Sequence, residues 1–123
     1  MMHWTQMSEF DGVDLTESYV LGWRMDGDDL RFDLDVALVP GHPAYRAPGP
    51  DERTCYRRGT LTFPSAHAVV GLERQEAVRA TVDASGERDY GNIDTFDDAN
   101  GEFQLSGDFG DVRVKSGRPR LDV

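Results

Sequence analysis

The stretch that most constrains this chain is Leu30-Arg31-Phe32-Asp33-Leu34-Asp35-Val36-Ala37-Leu38-Val39, where apolar and polar residues alternate with a period of two. Successive side chains of a strand point to opposite faces, so Leu30, Phe32, Leu34, Val36 and Leu38 share a buried face and Arg31, Asp33 and Asp35 share a wet one. Upstream, Tyr19-Val20-Leu21-Gly22-Trp23-Arg24-Met25 reads as the partner strand, with Tyr19, Leu21, Trp23 and Met25 on one face. Asp26-Gly27 between them is a tight-turn dipeptide, because such turns need positive φ. The stretch from Ser18 to Val39 is therefore expected to be a β-hairpin.

Similar grammar recurs along the chain. Residues 1–14 carry Trp4, Met7, Phe10 and Val13 at a three-residue spacing, which fits one or two helical turns or a lead-in packed over a sheet edge. Segment 40–54 holds four prolines and two glycines, so it reads as a long, semi-rigid loop, either a crossover between parts of the sheet or a functional loop. Cys55–Phe63 and Ala66–Leu72 read as strands. Residues 73–82 are ambiguous, with strand favoured from Ala77 onward. Asp83–Asp89 reads as a loop. Asn100-Gly101 is the clearest turn dipeptide, leading into Glu102–Ser106, and Val112–Lys115 follows a turn near Gly107 or Gly110. These signals predict one all-β domain over residues 1–123. It should be an antiparallel sandwich or partly open barrel of seven or eight short strands with little helix.

Composition narrows function mainly by exclusion. A net charge of −10, from 23 acidic and 13 basic residues, argues against direct nucleic-acid binding, which needs clustered Lys and Arg. It steers the protein instead toward basic partners. There is no apolar run of membrane-span length, and Met1–Gln6 lacks the basic and apolar regions of a signal peptide. With the lone Cys55 excluding an internal disulfide, a soluble cytoplasmic protein is expected. Oligomeric state is not legible.

The candidate chemical sites are sparse. Asp94, Asp97, Asp98, Asn100 and Glu102 crowd one turn, but aligning Gly101 with the glycine of a calcium loop puts Phe96 at the first ligand position. A solvated turn is the better reading. His3, His42, His67 and Cys55 show no zinc spacing, so no metal or cofactor is expected. Cys55 beside Tyr56-Arg57-Arg58 could be a nucleophile with His42 or His67 as base, yet a lone cysteine without a signature is more often a small core residue. No catalytic residue is assigned.

Charge patterning says more. Between Asp83 and Asp111 stand nine acidic residues and one basic one, Arg88, and the first hairpin adds Asp26, Asp28, Asp29, Asp33 and Asp35. If the two regions adjoin, Asp33, Asp35, Asp94, Asp97, Asp98 and Glu102 form a broad negative face for a basic protein, with charge setting on-rate and partner choice. A solubilising surface is the plainer alternative. Exposed Trp4, Tyr45 or Tyr56 would supply anchors. A different class of function, a small-ligand or enzymatic β-barrel, would place a pocket under the 40–54 loop near Tyr45, Cys55 and Tyr56. A structural or oligomeric module would instead present an apolar sheet edge.

Phe10-Asp11-Gly12, Val20, Leu30–Val36 and Gly107-Asp108-Phe109-Gly110-Asp111-Val112-Arg113-Val114 together resemble small bacterial all-β proteins, several of them immunity proteins of polymorphic toxin systems. The pattern spans about half the chain and omits the 40–54 insert. The resemblance implies a non-enzymatic cytoplasmic protein that blocks a toxin's active site, and an acidic antidote suits a basic toxin.

Overall fold

The computed structural model describes all residues, 1–123, and they form an antiparallel all-β structure. Its strands are β1 (Met2–His3), β2 (Val13–Asp26), β3 (Asp29–Leu38), β4 (Cys55–Phe63), β5 (Ala68–Leu72), β6 (Thr81–Val82), β7 (Arg88–Asp89), β8 (Ile93–Ala99), β9 (Glu102–Gly107), β10 (Gly110–Lys115) and β11 (Arg120–Asp122). Eight of them have three residues or more. Helix is confined to single 3-10 turns at Trp4–Gln6, Ser8–Phe10 and Gln75–Ala77. No helix is long and apolar enough to cross a membrane.

One sheet runs β11-β4-β3-β2 and a second runs β1-β8-β9-β10-β5, with β6 and β7 as a separate small hairpin. The inner faces of the two large sheets share a continuous core, so the expected sandwich is present. Phe63 of the first sheet meets Phe96 and Phe103 of the second at centroid separations of 5.7 and 5.8 Å. Phe32 meets Phe109, in the β9–β10 turn, at 5.1 Å. The sheets are also stitched along one side, where Val20 and Tyr90–Gly91 exchange backbone hydrogen bonds of 2.8 Å and Tyr19 bridges Asn92. This is the partly open barrel character of the fold. Trp4, Met7 and Phe10 of the lead-in are buried, while β1 pairs with β8, so the lead-in combines short helical turns with edge packing.

The β3 alternation holds: Leu30, Phe32, Leu34, Val36 and Leu38 are all buried. The turn before it is Gly27-Asp28, with Gly27 (φ +59°) at the position where a type II′ turn places glycine. At the other hairpin Asn100 and Gly101 have φ of +58° and +84°, the pair of positive values a type I′ turn requires.

The partner strand departs from its expected pattern. It begins at Val13, earlier than Ser18, and its register with β3 slips twice, between Asp14 and Tyr19 and between Val20 and Gly22. Val20 and Trp23 therefore face the core, while Tyr19 and Leu21 are half-buried and Met25 is exposed. The first slip is closed by the fully buried Ser18. Its hydroxyl donates to the Asp14 carbonyl at 2.8 Å and accepts the Ala37 N–H at 2.9 Å, standing in for a missing ladder bond.

Three other expectations are corrected. Segment 40–54 joins β3 to β4, which are direct neighbours, so it is a long hairpin connection and crosses over nothing. Residues 77–80 form no strand, and pairing starts only at Thr81. The Gln75 side chain accepts the Trp23 N–H at 2.9 Å and the Glu73 carbonyl accepts the Trp23 indole N–H at 2.8 Å, so this ambiguous stretch covers the β2 edge. Residues 83–89 are expected to be all loop, but Arg88–Asp89 form β7 opposite β6.

Candidate functional site

The sandwich separates the acidic residues expected to form one face. Asp33 and Asp35 lie on β3 in the first sheet, with their side chains on its outer side. Asp94, Asp97 and Asp98 lie on β8 and Glu102 on β9, in the second sheet. The two groups therefore belong to different sheets with the core between their inner faces, and no single face combines them. Asp33 is further neutralised by Arg24, at 2.5 Å, which raises the Arg24 pKa above its usual value. Asp98 accepts the Gly101 N–H at 2.9 Å and serves the turn.

The residues proposed for a pocket are only partly assembled. Tyr45 and Cys55 line a small cleft of about 210 Å³ beneath the 40–54 segment, together with Asp14, Glu17 and Arg53. That is smaller than the ~300–1,000 Å³ usual for small-molecule sites. Tyr56, the next residue on β4, has its ring 5.9 Å from that of Tyr19 and its hydroxyl donating to the Glu17 carbonyl, and it shares with Cys55 a second small cleft of about 250 Å³ against Arg46, Pro48 and Glu52. Cys55 is buried. Of the proposed anchors Trp4 is buried too, and Tyr45 and Tyr56 are half-buried.

A more developed site lies where the outer face of the first sheet meets the β6–β7 hairpin. Cross-strand register puts Asp35 between Tyr19 of β2 and Arg58 of β4. The second β2 slip adds Leu21 to the same outer surface. Opposite, the hairpin is closed by Asp83, whose Oδ1 accepts the Ser85 hydroxyl at 2.6 Å and the N–H groups of Ser85 and Glu87 at 2.9 and 3.0 Å. The Ser85 hydroxyl, aided by the backbone donors, holds the Asp83 carboxyl below its usual range. The backbone bonds of Tyr90 and Gly91 with Val20 hold the hairpin beside β2, leaving a cleft of about 490 Å³ lined by Tyr19, Leu21, Asp35, Asp83, Glu87 and Asp89 among others.

Four of those six residues are carboxylates. The cation that reaches them is Arg58, whose Nη2 lies 2.6 Å from Glu87 and whose Nε lies 4.0 Å from Asp35. Burial pushes the Asp35 carboxyl above its ordinary pKa; Arg58 opposes the shift and Glu87 adds to it. A carboxyl whose folded-state pKa is raised binds its proton more tightly in the native state. Its contribution to stability therefore falls as pH rises from about 4, where an unfolded aspartate titrates, through the higher folded value. At pH 7 the ionised Asp35 is a net cost. Asp35→Asn is expected to raise the urea midpoint at pH 7, and the gain should shrink as the pH is lowered toward the range where an unfolded aspartate is protonated. A midpoint lowered at pH 7 would contradict this.

Sequence reasoning identified Asp35 but missed Tyr19, Leu21, Arg58, Glu87 and Asp89 as its neighbours. The one local clue was Asp83-Ala84-Ser85-Gly86, whose Asp-x-Ser-Gly order suits a side-chain-closed turn. No family model, no curated protein and no solved structure matches this chain.

Proposed function

We propose that the protein is a non-enzymatic binding module that docks a basic protein through the outer face of its β11-β4-β3-β2 sheet. The observation that carries the reading is the carboxylate-walled cleft at this face, with Arg58 as the one guanidinium inside its reach. An acidic, partly apolar concavity raises the local concentration of cationic partners and rejects anionic ones. Burial there raises the Asp35 carboxyl above its ordinary pKa, and such perturbed groups cluster at functional sites. The resemblance of the hairpin segments to immunity proteins extends the proposal to a partner class, a basic toxin whose active site the protein blocks.

The two acidic groups lie on different sheets, so they can be tested separately. The protein is used to capture partners from lysate of its native host at low and high salt, with Asp35→Asn/Asp89→Asn, which line the cleft, and Asp94→Asn/Asp97→Asn variants alongside. A basic partner is expected that is retained at low salt and weakened at high salt. The first variant should lose about tenfold in affinity, two charges each worth roughly 0.7 kcal/mol, and the second should lose little. Salt-insensitive capture, or equal loss from both variants, would overturn the assignment to this face.

A further inference from the structure

We propose that β5 is a self-pairing edge, through which two copies of this chain associate into one continuous antiparallel sheet. A strand at the end of a sheet presents unpaired N–H and C=O groups, and folded proteins blunt such edges. Three of the four edges of the two large sheets are blunted here. β1 is two residues long, while β11 is three, follows Pro119 and carries Arg120 and Asp122. Along β2, Val20 bonds Tyr90 and Gly91, and Gln75 takes the Trp23 N–H. β5 has none of these devices. It runs Ala68-Val69-Val70-Gly71-Leu72, without a charge or a proline, and its backbone is bonded to β10 alone. None of its residues is buried, and Val70 is 54% exposed. The irregularity beside Gly71 places its extra residue in β10, so the free side of β5 stays regular from Ala68 to Val70.

Charge selects a second copy as the occupant. The chain carries a net −10, yet residues 53–72 hold no Asp or Glu, the longest such run in the sequence. Two copies thus meet at a strand free of carboxylates. A basic partner finds no counter-charge on it, and the β10 residues opposite Val70 and Ala68 are Arg113 and Lys115. The two ends of β5 complement each other. At its start stand His67 and, across the ladder from Ala68, Lys115; just past its end stands Glu73. Neither Lys115 nor Glu73 has an ion-pair partner in its own chain. Antiparallel pairing about a two-fold axis near Val69 and Val70 brings the His67–Lys115 end of one strand alongside the Glu73 end of the other, twice. Apolar cross-strand pairs among Ala68, Val69 and Val70 form the middle of the seam. So short a seam buries less than the ~1,200 Å² of a stable interface, which makes the dimer weak, with a Kd of roughly 0.1–1 mM.

The test is sedimentation equilibrium of the whole chain from about 20 µM to about 1 mM, at about 0.05 M and about 0.5 M salt. The mass is expected to rise toward that of two chains and no further. Association should strengthen about threefold at the higher salt, because both copies are negative and salt screens their repulsion. That response is opposite in sign to the one expected for docking a basic protein, so the two readings fail separately. Val70→Lys should weaken association at least about tenfold, since a lysine on an edge strand blocks pairing. Glu73→Gln should weaken it about threefold. Val82→Lys, the same change at a 58% exposed position in β6, should stay within about twofold of wild type. All three side chains are exposed, so each variant should keep the wild-type urea midpoint. A single-chain mass at about 1 mM, weakening by salt, growth beyond two chains, or equal losses from Val70→Lys and Val82→Lys would overturn the self-pairing edge. Loss of a captured basic partner in Val70→Lys would overturn it too, by making β5 that partner's seat.

Discussion

Phe63→Ala is expected to destabilise the protein by about 3–5 kcal/mol, the range for truncating a fully buried aromatic. Phe63 has no exposed surface, and it is one of the rings through which the two sheets meet. It sits edge-on to Phe32 of its own sheet at 6.2 Å and contacts Phe96 and Phe103 of the opposite sheet. Removing it leaves a void that those three rings cannot collapse into, because each is held by its own strand. Domains of this size are stable by only ~5–15 kcal/mol, so the loss takes a large share of the total. In urea the midpoint should fall by roughly 2 M for a slope of ~2 kcal/mol/M. A loss below about 1 kcal/mol would mean that the aromatic cluster repacks and that the sheets are held together elsewhere.

The aromatic layer was legible where strand periodicity was regular. Phe32, Phe103 and Leu105 are buried as their alternation requires, because each sits in a strand whose register runs without a slip on that side. Trp23 shows where periodicity fails. Counting by twos groups it with Tyr19 and Leu21, but the slip between Val20 and Gly22 rotates it into the core against Phe32, Tyr90 and Phe109. A bulge leaves no local signature when what stabilises it is distant in sequence. Here those distant parts are the Ala37 N–H on Ser18, the Asn92 amide on the Ser18 carbonyl, and Gln75 on the Trp23 N–H.

Charge was legible as a quantity and not as a place. Asp33 and Asp97 look alike in sequence, each in an acidic hairpin, and only sheet assignment separates them. Sheet assignment depends on which hairpin pairs with which, a tertiary outcome that composition does not encode. The same holds for Arg58. Read along the chain it belongs to Tyr56-Arg57-Arg58 beside Cys55, whereas in space its partners are Asp35 and Glu87. Asp83–Asp89 reads as a polar loop because its pairing is two residues long, too short for any alternation.

Gly71→Ala is the second substitution expected to have a large effect, about 2–5 kcal/mol, and it acts through backbone rather than packing. Gly71 has φ of +87°, which costs an alanine ~1–2 kcal/mol. A Cβ there would lie 1.9 Å from the Asp111 carbonyl oxygen, a main-chain atom that cannot rotate away. The cause is the irregular pairing of β5 with β10, where the register slips between Gly110 and Arg113 and the two chains approach closely. Gly110, with φ of +121°, meets the same constraint from the other side, since its Cβ would lie 2.2 Å from the Gly71 carbonyl oxygen. Moving the strands apart to admit a methyl adds ~1–3 kcal/mol of strain. Because β5 is the last strand of its sheet, relief comes most easily by peeling it from β10. Hydrogen exchange should then show amides of 68–72 and of the facing β10 residues losing protection before the rest of the sheet does. The variant should also aggregate more readily, because peeling uncovers the β10 edge. Unchanged protection over 68–72 together with unchanged urea stability would show that the approach of Gly71 to Asp111 constrains nothing.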